Sequence, residues 1–295
     1  MTSNQLDQLV VVLVRARNPS NIGAVARAMH DFGFSRLRVV NEFAMPFEAA
    51  KSAVDAAHVM TAAERYSSVA EAVGDCSLVV GTTAVGERDL QHELLMLAQG
   101  AQRIRAELGR KPTDDDDRVG RVISDGRGGS GASGSSPVRR VALLFGSEKT
   151  GLSNEELSHC NWLLTVPMHK HPGLRHPSMN LGQAVAVCLY ELVREPPQDD
   201  TAAMHAAAAL TTQPEPATAA QLERITELLT EVMEKTGYRR RHAHNCSPDQ
   251  VRRLVRRIGA NAVDAPVWIG ILKQVLWKLG EGSTASDSPG ESRET

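Results

Sequence analysis

Three short stretches place side chains whose type and spacing suit the binding of a phosphate-bearing ligand. In NPSNIGAVARA, residues 18 to 28, Asn18 and Asn21 precede Gly23, and Arg27 follows that glycine by four residues, on the same helix face. A glycine in the first turn lets a ligand approach the backbone, and a guanidinium beside it offers a planar fork of donors that matches a phosphate. In FGSEKTGL, residues 145 to 152, Gly146 and Gly151 flank a loop that holds Glu148. Capping does not account for that acid, because Ser153 and Glu156 already spell the capping box of the next helix. In HPSMNLGQAV, residues 176 to 185, Ser178 and Asn180 stand at the mouth of another helix, where side-chain and backbone donors converge. Taken singly, Arg27 is either an anion clamp or half of a structural ion pair. Glu148 is a ligand to ribose hydroxyls, a group that orients a partner, or an exposed loop acid.

These stretches need elements to hold them together. LVVVLVR at 9 to 15 is an almost unbroken apolar run, the pattern of a parallel strand covered on both faces. A helix follows, capped by Ser20 or Asn21 and ended by Gly33, and RLRVV at 36 to 40 completes a β-α-β unit. SLVVGTTA at 77 to 84, VALLFGSE at 141 to 148 and WLLTVPM at 162 to 168 repeat the grammar of a short apolar strand running into a loop. LGQAVAVCLYELV predicts a helix from about Leu181 to Val193, stopped by Pro196 and Pro197. The expected fold class is α/β with a mostly parallel sheet. In such sheets ligands bind beyond the carboxyl ends of the strands, which is where all three stretches fall.

Residues 1–195 form the expected α/β domain, with 109–140, acidic and then Gly/Ser-rich, as a disordered insertion. Residues 196–220 are expected to be a linker and 283–295 a disordered tail. Between them, 221–282 predicts a small all-helical unit: an amphipathic helix from Leu222 to Met233, a second opened by Ser247 and Pro248, and a third across APVWIGILKQVLWKLG. Residues 221 to 280 hold eleven Lys/Arg against six Asp/Glu. The surplus includes Arg239, Arg240, Arg241, Arg252, Arg253, Arg256 and Arg257, the electrostatic footprint of a phosphate backbone, with a solvated helix face as the plainer reading.

Composition bounds the rest. A hydrophobic fraction of 42% and a formal net charge of -2 suit a globular chain with no global bias towards one partner. No apolar run is long enough to span a membrane and the amino terminus lacks the features of a signal peptide, so a cytoplasmic location is expected. The four cysteines form no CxxC pair and are expected to be buried and reduced. His169, His171 and His176, and likewise His242, His244 and Cys246, lack consistent ligand spacing, so no metal is expected.

In order, NPSNIGAVARA, FGSEKTGL and HPSMNLGQAV resemble the three motifs of the SpoU/TrmH family of RNA 2′-O-ribose methyltransferases in the SPOUT superfamily, over roughly residues 8 to 194. The helical extension is most similar to that of the family's TrmJ branch, which acts on tRNA. The resemblance implies a C-terminal trefoil knot, S-adenosylmethionine as cofactor and a homodimer with composite sites. It implies catalytic roles for Asn18, Arg27, Glu148, Ser178 and Asn180. It also implies cofactor contacts from Thr82, Thr83, Ala84, Gly146, Val166, Ser178 and Met179. Two departures stand out: the loop HKHPGLRHP before Ser178 is longer than in TrmJ relatives, and the third motif has SMN where SLN is common.

The implied substrate is a cytidine or uridine ribose at the start of a tRNA anticodon loop. Ribosomal RNA is the nearest rival, and a catalytically silent RNA-binding dimer the rival from another class. A phosphate-binding metabolic enzyme is disfavoured by the absence of a GxGxxG or P-loop signature.

Overall fold

A computed structural model describes residues 1–41, 55–84, 90–110, 139–169, 178–194 and 215–284. Most of the 109–140 insertion, nearly all of the linker, the tail from 285, and His171 and His176 lie outside the described residues.

Seven strands form one sheet: β1 (Leu9–Val14), β2 (Arg36–Val40), β3 (Glu64–Tyr66), β4 (Leu78–Thr82), β5 (Leu94–Met96), β6 (Val141–Phe145) and β7 (Trp162–Thr165). Their order is β3-β2-β1-β6-β4-β7-β5, and every pairing is parallel. Every residue of β1, β6 and β7 is buried, the result of helices covering both faces. The helices before, between and directly after the strands are α1 (Ser3–Gln8), α2 (Pro19–Asp31), α3 (Ala57–Thr61), α4 (Val69–Val73), α5 (Leu97–Leu108), α6 (Asn154–Ser158) and α7 (Leu181–Val193). Alternation along β1 divides the core: Leu9, Val11 and Leu13 pack with α2, α3, α5 and α7, while Val10, Val12 and Val14 pack with α4 and α6.

The expected strands all form; β2 fills its run from 36 to 40, and the others end one to three residues short of theirs. The short strands β3 and β5, and the helix α5, were not anticipated. Within α5, Gly100 is a close-approach position: a Cβ there would come within 2.1 Å of Leu164 Cδ1 and 3.2 Å of Trp162.

Beyond the sheet, α8 (Ala219–Lys235), α9 (Tyr238–Arg241), α10 (Pro248–Ile258) and α11 (Asp264–Thr284) surround a core of their own that includes Leu222, Ile225, Val255 and Leu272. This unit is docked on the sheet domain. The backbone amides of Ala219 and Ala220 donate to the carbonyls of Cys76 (2.8 Å) and Gly74 (3.1 Å). Arg252 donates to Ser158 Oγ at 2.9 Å.

Candidate active site

The strand order brings the carboxyl ends of β4, β6 and β7 side by side. There a cavity of about 630 Å³ opens, lined by Thr82, Thr83 and Ala84 after β4, by Phe145 to Leu152 after β6, and by Val166 and Met168 after β7. Ser178, Met179, Leu181, Ala184 and Cys188, at the start of α7, close it. All seven residues expected at the cofactor, Thr82, Thr83, Ala84, Gly146, Val166, Ser178 and Met179, line this one cavity.

The strand ends are fixed by the backbone. Thr83 N donates to Leu164 O at 2.9 Å and Thr82 Oγ1 to Leu144 O at 2.8 Å, so β4, β6 and β7 hold the cavity floor as a unit. After β6 the chain doubles back, with Gly151 N donating to Ser147 O at 2.9 Å. A Cβ on Gly146 would lie 2.1 Å from the Gly151 carbonyl carbon, so only glycine permits this fold-back. Burial pushes the Cys188 thiol up to about 12, so the thiol in the cavity wall stays protonated near neutral pH.

A hydrogen-bonded chain of side chains joins the three stretches. Asn180 Nδ2 donates to Asn21 Oδ1 at 3.1 Å, and Asn21 Nδ2 donates to Glu148 Oε1 at 3.1 Å. Asn180 also caps α7, its Oδ1 accepting from Gly182 N at 3.0 Å. The first-stretch residue in this chain is therefore Asn21. Asn18, the other asparagine expected in the chemistry, is the N-cap of α2 in place of the expected Ser20 or Asn21, with its Oδ1 accepting from Ser20 N at 2.9 Å and Pro19 at the first helical position. The sequence signal was available: Pro19 suits the first position of a helix, which makes the residue before it the cap.

Arg27 lines no part of the cavity. Its side chain is 59% exposed, with Nε 4.0 Å from Asp31 Oδ2. A residue unmarked by the sequence reading, Arg15, braces the site from the end of β1. Its Nη2 donates to Glu156 Oε2 at 2.9 Å and to Gly151 O at 3.0 Å, and its Nε donates to Glu156 Oε1. Glu156 in turn accepts from Ser153 N, so one carboxylate serves the cap of α6 and the brace together. Arg15 adopts φ 55, a left-handed conformation that bends the chain out of the strand.

The basic residues of the helical unit divide. Arg252 is held by Glu223 at 2.9 Å, Arg239 is ion-paired with Glu234, and Arg256 is buried, with its pKa lowered to about 10 by desolvation. Arg240, Arg241 and Arg257 are exposed and Arg253 is partly so. Among the described residues no cluster of three or more His, Cys, Asp or Glu could hold a metal ion, and no helix is long and apolar enough to cross a membrane.

A family model described as the SpoU rRNA Methylase family matches residues 8–190, more than half of the 295-residue chain. The chain belongs to this family. Among curated relatives, a protein of Methanocaldococcus jannaschii named tRNA (cytidine-2′-O-)-methyltransferase TrmJ is 31% identical over 62% of the chain, a match that spans 66% of that relative. A Pectobacterium atrosepticum protein named tRNA (cytidine/uridine-2′-O-)-methyltransferase TrmJ is 29% identical, over 92% of the chain and 97% of its own length. Among solved structures, that of TrmJ from Z. mobilis ZM4 superposes with a TM-score of 0.67 at 25% identity, covering 90% of this chain and 98% of that one. The family match ends at residue 190, so it contains the cavity and the Asn180–Asn21–Glu148 chain and leaves out the helical unit.

Proposed function

We propose that this chain is a tRNA 2′-O-ribose methyltransferase that uses S-adenosylmethionine and acts on cytidine or uridine at the start of the anticodon loop. The cavity where β4, β6 and β7 end, with the Asn180–Asn21–Glu148 chain at its mouth, carries the proposal. Its residues fit the cofactor. Leu164, Leu181, Met168 and Met179 offer apolar walls to an adenine, Thr82 and Thr83 offer hydroxyls, and the bare Gly146 leaves the backbone open to close approach.

When bound, S-adenosylmethionine supplies a methyl group carried on a sulfonium. The protein's task is to set a ribose hydroxyl in line with that methyl and to receive the proton the hydroxyl gives up as the new O–C bond forms. Glu148 accepts from Asn21 on Oε1, which leaves Oε2 for the hydroxyl. Arg27 offers a planar fork of donors that clamps the adjacent phosphate.

The enzyme works as a homodimer in which exposed Arg27 serves the cavity of the second copy. The carboxyl-terminal segment of the sheet domain forms a trefoil knot; in support, β7 lies on one side of β4 while α7, later in the chain, packs with α2 beside β1. Residues 221–282 grip tRNA phosphates through Arg240, Arg241, Arg253 and Arg257, and the substrate sets the work in the cytoplasm.

The decisive experiment is incubation of the protein with unmodified tRNA and labelled S-adenosylmethionine, followed by mass spectrometry of mapped fragments. A 2′-O-methylated pyrimidine in the anticodon loop is the expected product. Label in ribosomal RNA alone would keep the chemistry and move the substrate, and label in neither would leave an RNA-binding protein. Arg27→Lys should lower turnover about 100-fold with cofactor affinity unchanged, because an ammonium cannot hold a phosphate bidentately.

A further inference from the structure

The helix α11 is apolar on more of its circumference than the described residues cover. Ala265, Leu272, Ile269 and Leu276 lie on one side and pack into the core of the helical unit. On another side Val267 is 58% exposed, Trp268 41%, Ile271 51% and Val275 38%. At about 100° per residue, these four side chains share an arc of roughly 100° with the exposed Asp264 and Lys278. A helix apolar on two faces is ordinarily buried on both.

The arrangement along this second face is symmetric. Asp264 and Lys278 lie seven residues to either side of Ile271, and Val267 and Val275 four to either side. An antiparallel copy of the helix on a two-fold axis through Ile271 therefore brings Asp264 to Lys278 at both ends. The same axis sets Val267 against Val275 and Ile271 against its own counterpart. A parallel pairing would oppose Asp264 to Asp264 and Lys278 to Lys278. Self-complementarity under a two-fold axis is what an isologous interface requires. Lys278 keeps its position over the Trp277 ring, 4.9 Å from the centroid, at the edge of the stripe.

We propose that the outer face of α11 pairs antiparallel with α11 of a second copy of this chain, centred on Ile271. This contact is separate from any dimer made through the sheet domain and does not rest on the reaction proposed above.

Because a sheet-domain dimer would mask changes in mass, the test reads the contact itself. In the full chain, Ile271→Cys should form a disulfide-linked dimer under mild oxidation, while Lys273→Cys, on the opposite flank of the helix, should not. The four native cysteines are buried, so background cross-linking is low. Adding Asp264→Lys to Ile271→Cys should cut the cross-link yield about fivefold, as two attractive pairs become repulsive, and further adding Lys278→Asp should restore it. Absence of cross-linking through Ile271→Cys, equal cross-linking through Lys273→Cys, or failure of the charge swap to restore yield would each overturn the proposal. Circular dichroism of each variant separates loss of pairing from loss of folding.

Discussion

Arg15 shows how much of the site depends on a residue that never reaches the cavity. Its left-handed backbone costs a non-glycine residue roughly 1–2 kcal/mol, a cost offset by the fork it makes to Glu156 and to the Gly151 carbonyl. Arg15→Ala should release the turn after β6 and weaken S-adenosylmethionine binding about tenfold by calorimetry, with a smaller change in turnover at saturating cofactor. Asn18 and Asn21 should separate cleanly. Asn18→Ser keeps a capping oxygen and should leave activity intact, with melting shifted by no more than about 0.5 kcal/mol equivalent. Asn21→Ala breaks the link between Asn180 and Glu148 and should lower turnover by about 10- to 100-fold at unchanged fold, measured as single-turnover methyl transfer. In the sequence the two asparagines look alike. What distinguishes them is that Pro19 commits Asn18 to the helix end while Asn21, one turn inside, faces α7. Arg15 was illegible for a different reason: its partners are 136 and 141 residues away.

At the scale of elements, the legible parts were those with strong local patterning. β1 follows from an almost unbroken apolar run, and α7 from helical spacing with a proline stop. β3 and β5 are three residues each, too short to display an alternation, and take their form from neighbours already in the sheet. α5 was obscured by Gly100, a poor helix former that is present because Leu164 and Trp162 leave no room for a side chain. The fold-back after β6 is the element on which the cavity depends most. Gly146→Ala would drive a methyl group into the Gly151 backbone. Cofactor binding should fall below detection while β6, paired on both edges, keeps the sheet intact by circular dichroism.

Across the whole molecule, a polar hub ties the sheet edge to its flanking helices. Arg38, 4% exposed within β2, donates to both oxygens of Asp75 at 2.6 and 2.9 Å, to Glu64 at 3.0 Å and to the Ala72 carbonyl at 2.8 Å; Arg140 donates to Asp75 from the start of β6. Burial would raise the Asp75 carboxyl, but its hydrogen bonds to Arg38 and the charges of Arg38 and Arg140 outweigh that and hold it well below the usual carboxylate range. A carboxylate whose pKa is depressed by folding adds stability above its unfolded value, near 3.9, and that stability fades as pH falls towards the folded value. Urea midpoints should therefore change little from this group above about pH 5 and drop below pH 4, and Asp75→Asn should flatten that acid limb. At neutral pH the same substitution should cost about 2 kcal/mol, less than a fully buried pair because Asp75 remains partly exposed.

The strand order has a further effect while the chain is being made. β6 lies between β1 and β4 and pairs with both, yet it is synthesised after them and after the 109–140 insertion. A nascent chain that has reached residue 140 holds two hydrophobic strands whose inner edges have nothing to pair with. Unpaired edges of that kind template pairing with other chains. This protein thus passes through a vulnerable stage on the ribosome that a sheet assembled in the order of its translation would avoid.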